Sequence, residues 1–264
     1  MQVRGAKRHR EGFDYAMFLA FRGMIVCQFI LHASIMFWAN ILCLFQIAEA
    51  LVSGEPCFLD SEEWMSIPTD ANRLPSTSTT FRFYNDLCNY FAGVPRVVSR
   101  TKAAQIEKAV GAIQHFPSDL LIDAQRLRTN MMICFDQFLQ TFGQSTPAFI
   151  KVQSGSGGGL FPSKYVYRDT LTAALVTSYS AYLIVLNKQI NALHQCETQK
   201  EENLSLARDI CMSVEYCAAT GLCGAQCMTF SLQHVLPICP EEHRSWVKSW
   251  LDLFIESSKL LKNN

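Results

Sequence analysis

Apolar residues between 204 and 261 fall at steps of three and four, the spacing of an amphipathic helix. Leu204, Ala207, Cys211, Val214 and Ala218 make one such face, and glycines break it at Gly221 and Gly224. A second apolar segment follows from Met228 to Leu236. A last helix opens at Pro240-Glu241-Glu242, where proline suits the first turn and acids complement the positive dipole end. Its face is Val247, Trp250, Leu251, Phe254, Ser258 and Leu261, and Lys259 and Lys262 complement the negative end.

Similar spacing extends upstream. Pro117-Ser118-Asp119 starts a long helix with Leu120, Ala124, Leu127, Met131, Cys134 or Phe135, Phe138 and Phe142 on one side. Another is expected from about Lys164 to Leu193, with Leu171, Leu175, Ser178, Tyr182, Leu186, Ile190 and Leu193 along one side. The charged residues from Glu197 to Glu202 separate it from the helices that follow. Phe81 to Phe91 reads as a compact helix closed by Gly93 and Pro95, and a short helix is expected from Ala103 to His115. Ser53 to Thr80 is rich in turn formers, with a capped helical turn at Asp60-Ser61-Glu62-Glu63-Trp64. Strand-favouring stretches, Val94–Val98 and Phe149–Val152, are short and isolated. The run 153–159, QSGSGGG, is a flexible connector by composition. The pattern predicts an all-α, multi-helical, bundle-like fold.

Composition narrows the function classes. The 264 residues are 49% hydrophobic and 17% charged, and 23 Lys+Arg balance 23 Asp+Glu. A chain without net charge has no global electrostatic reason to bind nucleic acid, so any DNA contact would have to be local. Arg4, Lys7, Arg8, His9 and Arg10 precede an apolar stretch from Tyr15 to Val52, whose uncharged window Gly23–Phe45 is a candidate membrane span. Gln28, His32 and Asn40 interrupt that window, and a buried helix pair is the blander reading. The basic cluster at the start reads as a disordered terminus, with a nuclear-import signal or a phosphate contact as the alternatives.

Catalytic and metal chemistry finds no carrier. The eleven cysteines are an odd, scattered number, most inside apolar runs, which fits buried reduced thiols of an intracellular protein rather than a disulfide framework. Cys223-Gly-Ala-Gln-Cys227 would share a helix face, with Cys211, Cys217 and Cys239 nearby, but structural zinc calls for two close pairs and only one is present. The glycines at 155–159 lack the Gly-Lys-Ser/Thr of a phosphate loop, and Leu160 stands where a dinucleotide fingerprint needs glycine. Glu241-Glu242-His243 occupies a helix first turn. His32 and His234 lie in apolar surroundings, and His115 and His194 near helix ends. No catalytic, cofactor-binding or metal residue is assigned, no cofactor is expected, and the chain is read as not an enzyme.

Several stretches, taken in order, resemble the regulatory domain of fungal zinc binuclear cluster transcription factors. They are Ala48-Glu49-Ala50-Leu51 followed by Phe58 to Pro68, then Leu87 to Pro95, then Tyr179 to Leu193. Ala207 to Tyr216 through Gly221 and Gly224 comes next, and Phe230-Ser231-Leu232, Glu241-Glu242 and Trp246-Val247 close the set. The likeness covers about Phe45 to Leu261. It implies an all-helical, nuclear domain that controls transcription, for a metabolic or secondary-metabolite gene set, through protein partners such as another transcription factor or a second copy of itself. The family's DNA reader needs Cys-x2-Cys-x6-Cys twice, and no cysteine spacing here supplies it, so direct sequence-specific DNA binding is not carried over from the resemblance. The chain then divides into 1–44, a divergent segment partly basic and then apolar, and 45–264, the helical regulatory domain. The alternatives are a membrane-anchored protein spanning near 23–45 and a non-catalytic small-molecule-binding helical domain.

Overall fold

The computed structural model describes residues 44, 46–65, 79–143, 146–155 and 160–259. Residues 46–53 are helical, a 3-10 turn spans Phe58–Asp60, and α1 is a four-residue turn at Glu62–Met65. Then come α2 (Thr79–Ala109), α3 (Ser118–Gln140), β1 (Phe149–Gln153), β2 (Ser163–Tyr167), α4 (Thr170–His194), α5 (Lys200–Ala219), α6 (Leu222–Val235) and α7 (Glu241–Lys259). The fold is mostly α, with one two-stranded sheet among the described residues. The window 23–45 lies outside them apart from residue 44, as do most of the Ser/Thr-rich stretch before α2 and the glycines 156–159. Two compact units divide the chain: Met1–Phe135 with Ala192–His194, and Asp136–Asn191 with Gln195–Asn264.

In the first unit α2 corrects the expectation of two helices separated by Gly93 and Pro95. It runs unbroken for 31 residues with Pro95 inside, so the strand-favouring Val94–Val98 is helical too. Proline removes one backbone hydrogen bond and costs about 3 kcal/mol in a helix interior. Against that, Leu87, Phe91, Val94, Val97 and Val98 are all buried. At about 1.5–3 kcal/mol for each large apolar side chain, their burial outweighs the break. At Gly93 the side chains of Asp60 and Leu127 pack close to the helix; a Cβ there would lie 3.3 Å from each of them. The helix ends at Ala109 rather than His115 because Gly111, with φ +75°, turns the chain and donates to Lys108 O.

Between α2 and α3 the charges are matched in spacing. Arg96 and Arg100 are four residues apart on α2, and Asp119 and Asp123 four apart on α3. Arg100 bonds Asp123 at 2.9 Å and Asp119 at 2.5 Å, and Arg96 bonds Asp60 at 2.6 Å. The Arg100 hydrogen bond draws the exposed Asp119 carboxyl below its ordinary value. A small apolar cluster of Ala104, Leu120 and Leu193, flanked by Phe116, closes this unit.

The second unit is built around α4. The helix begins six residues later than expected, at Thr170, because Asp169 caps it by accepting from Thr172 N at 2.7 Å. Residues 163–167, expected in that helix, form β2 instead, paired antiparallel with β1 from Phe149↔Tyr167 to Gln153↔Ser163. The stretch at 149–152 is therefore not isolated. Nor does α4 bury one side only: every residue from Thr172 to Asn187 is buried. Its hydroxyls avoid a polar face by bonding within the helix, Thr177 to Ala173 O at 2.9 Å and Ser180 to Val176 O at 3.0 Å. By length and composition α4 is apolar enough to cross a membrane, but 89% of its most apolar window is buried inside the protein. A helix without a polar face belongs either in a protein core or in a membrane, and in this structure its residues are packed inside the protein.

The remaining helices follow the periodicity closely. On α5, Ala207, Cys211 and Val214 are buried, while Leu204, expected on the same face, is 38% exposed. Asn187 on α4 donates to Asn203 Oδ1 and Glu202 Oε2 of α5, both at 2.9 Å. Gly221, with φ +69°, turns α5 directly into α6. Gly224 then lies against the preceding helix: a Cβ there would be 1.9 Å from the Cys217 carbonyl oxygen. Ser231 of α6 reaches Thr177 O of α4 at 3.2 Å, and Phe230 stacks on Tyr182 at 4.7 Å. Val247, Leu251 and Phe254 bury one face of α7 as expected.

Two measurements follow. Because the obstacle at Gly224 is backbone, Gly224→Ala should lower unfolding free energy by about 2 kcal/mol or more in urea, the range of an overpacked core. Thr172 Oγ1 is buried without a hydrogen-bond partner. Thr172→Val, of nearly equal volume, should therefore raise stability by about 1 kcal/mol.

Candidate functional site

The connection from hairpin to α5 rests on a coincidence of lengths. Residues two apart on a strand are separated by roughly 6.6 Å, and residues four apart on a helix by roughly 6 Å. Tyr165 and Tyr167 on β2 therefore reach Asp209 and Ser213 on α5 together. Tyr165 Oη donates to Asp209 Oδ1 at 2.9 Å, and Tyr167 Oη shares a hydrogen bond with Ser213 Oγ at 2.6 Å. Lys164 Nζ and Ser154 Oγ both donate to Glu215, at 2.8 and 2.7 Å. Phe149 contacts both tyrosine rings, and Tyr216 lies 5.3 Å from Tyr167.

Burial fixes the protonation of this seam. It raises the Tyr165 phenol to about 12, helped by the Asp209 charge, and raises Tyr167 further still. Asp209 is also raised, by burial first, against the opposing hydrogen bond from Tyr165 and the charges of Lys151 and Arg208. The groups are driven toward their neutral forms, which suits a structural joint.

Beside this seam lies a partly enclosed cavity of about 120 Å³. Ala207 and Cys211 of α5, Val235 at the end of α6 and Cys239 form its buried parts. Leu160, Phe161, Leu204 and Pro240 make the walls, with Arg208 and His243 the two basic side chains. His243 meets Phe161 edge-on at 5.6 Å.

The sequence-level candidates can now be located. Cys211, Cys217, Cys227 and Cys239 are buried in this unit, and Cys57, Cys88 and Cys134 in the other; Cys196 is exposed. The side chain of Cys223 lies outside the described residues. Burial, then the neighbouring Cys239, pushes the Cys211 thiol up to about 12. Burial likewise raises Cys217 and Cys239, so these sulfurs pack as thiols rather than present thiolates. Among the described residues no three His, Cys, Asp or Glu side chains converge to hold a metal. Glu241 sits in the first turn of α7 and pairs with Arg244 at 2.5 Å. Burial, with Lys188 close by, lowers His234 to about 4, a neutral ring against Phe230. His194 bonds Gln125 at 3.2 Å. Phe161 and Arg208, which the cavity brings together, carried no signal in the sequence because they join only when β2 lies along α5.

No family model matches the chain, and no solved structure matches it. Over 142 residues, 52% of this chain, it is 27% identical to "Uncharacterized protein AN5342" of Emericella nidulans. The match takes in 26% of that protein, so the chain spans about a quarter of the relative's length.

The seam gives a pH prediction. A carboxyl whose native pKa is raised binds more protons folded than unfolded, so its contribution to stability falls as pH rises from about 4 through the native value. Asp209→Asn keeps an acceptor for Tyr165 and removes the titration. Urea midpoints should show the variant gaining on wild type between pH 4 and pH 7; a difference that does not change with pH would refute the assignment.

Proposed function

We propose that this chain is a helical regulatory domain of a transcription-control protein, acting in the nucleus on a metabolic or secondary-metabolite gene set through protein partners rather than by chemistry of its own. The observation that carries the reading is the order of motifs from Ala207 to Trp246. Their apolar positions, Ala207, Ile210, Cys211, Val214, Leu232 and Val247, are buried on three consecutive helices joined through Gly221 and Pro240. Asn187, Asp209, Ser213 and Glu215 of the second unit are engaged in joining elements, which supports a reading in which the unit acts through its surface.

The test is cellular. A tagged full chain should accumulate in nuclei, and deletion should change the expression of a coherent gene set. Residence in carbonate-resistant membranes, or deletion with no change in transcript levels under any nutrient condition tried, would overturn the reading.

A further inference from the structure

We infer that the cavity between the hairpin connection, α5 and the start of α7 is a binding site for a small monocarboxylate with a compact apolar body, an aryl or branched aliphatic acid. This reading concerns the purified chain and stands or falls independently of any role in transcription. Size sets the first limit. A cavity of about 120 Å³ is slightly smaller than the apolar cavity of roughly 150 Å³ that accepts benzene, so it suits a body of at most about six non-hydrogen atoms. Chemistry sets the second. Ala207, Cys211, Val235 and Cys239 offer the body no ionised group, because burial holds the Cys211 and Cys239 sulfurs as thiols. A charged or strongly hydrogen-bonding body would be stripped of water there without compensation.

Charge sets the third limit and selects an anion. Arg208 lines the cavity from the exposed side of α5 and, although its charge acts on the neighbouring Asp209, forms no salt bridge with a described residue. The acid beside it in sequence, Asp209, faces a different obligation: its Oδ1 accepts from Tyr165, and its carboxyl is raised by burial. Glu241, the acid nearest in sequence to the Pro240 wall, is paired with Arg244. Arg208 is thus left as a guanidinium beside an apolar hole, the arrangement that holds a carboxylate by two parallel hydrogen bonds while its hydrocarbon part is buried. His243, in edge-on contact with Phe161, also lines the cavity.

Benzoate and toluene, as a charged and an uncharged probe of one shape, test this by ligand-observed NMR titration of the full chain. Benzoate should bind saturably with Kd of about 0.1–1 mM, the range open to so small a ligand. Arg208→Gln, on an exposed position, should weaken benzoate at least about threefold and leave toluene unchanged. Leu204→Trp, at the partly exposed lip, should fill the hole and abolish binding of both probes, with circular dichroism confirming the fold. Absence of saturable benzoate binding at about ten times the upper Kd overturns the proposal, as does binding untouched by Leu204→Trp. Equal affinities of wild type and Arg208→Gln for benzoate overturn the carboxylate assignment.

Discussion

The second unit depends on a single constraint, that α4 is apolar on every side. A helix whose residues from Thr172 to Asn187 are all buried has no face to give to water. The chain must cover it, and the partners the structure provides include α5 and α6. Two polar contacts fix how they lie. Asn187 reaches across to Glu202 and Asn203 at the start of α5, and Ser231 of α6 reaches the Thr177 carbonyl. Hydrophobic burial is non-directional and would tolerate many arrangements of covering helices. A fully buried carboxamide that must find acceptors tolerates few, since an unmet buried donor costs about as much as several buried methylene groups. The apolar surface thus supplies the driving force, and a handful of buried polar atoms selects one arrangement.

The close approach of α5 and α6 at Gly224 is the steric counterpart of that selection. The two-residue turn at Thr220-Gly221 returns the chain along itself, and only a residue without a Cβ fits beneath the Cys217 carbonyl. Glycine costs about 1 kcal/mol in a helix interior relative to alanine, so its position inside α6 needs a compensating reason, and this contact is one. Cysteines crowd the same region for a related reason. Cys217, Cys227, Cys211 and Cys239 are small enough to fill gaps between closely spaced helices and apolar enough to be buried there. Their raised thiol values follow from that burial; they are a consequence of packing and need no chemical purpose.

Where the sequence was legible, one side of an element met solvent. The starts of α3 and α7 follow from their Pro-Ser-Asp and Pro-Glu-Glu openings, and the break after α5 from its glycines, while the apolar spacing gives their buried faces because each of those helices keeps a polar side. It was illegible where tertiary packing overrode local preference. Pro95 and Gly93 together look like a helix stop, yet α2 passes through them because the residues on both sides are buried. Lys164 to Tyr167 reads as the first turn of a helix, because the alternation of Tyr165 and Tyr167 is too short to announce a strand. Only the partner strand at Phe149–Gln153 and the acceptors on α5 decide it. The Arg96–Arg100 and Asp119–Asp123 ladder was invisible for the same reason: each pair is ordinary on its own helix, and its meaning is a relation between two.

These relations also explain why the cavity could not be read from the chain. Its wall comes from Phe161, its cation from Arg208 and its floor from Val235 and Cys239, four positions on as many segments. They are assembled by the seam in which two tyrosines two residues apart meet two acceptors four residues apart. Shortening that match by one residue would turn Tyr165 and Tyr167 to the other face of β2, since side chains alternate along a strand. Arg208 would lose the neighbour that keeps Asp209 occupied, and an arginine beside an unengaged aspartate would spend its charge internally. The availability of that guanidinium is therefore a product of strand register, set some forty residues away in sequence by where β1 pairs with β2.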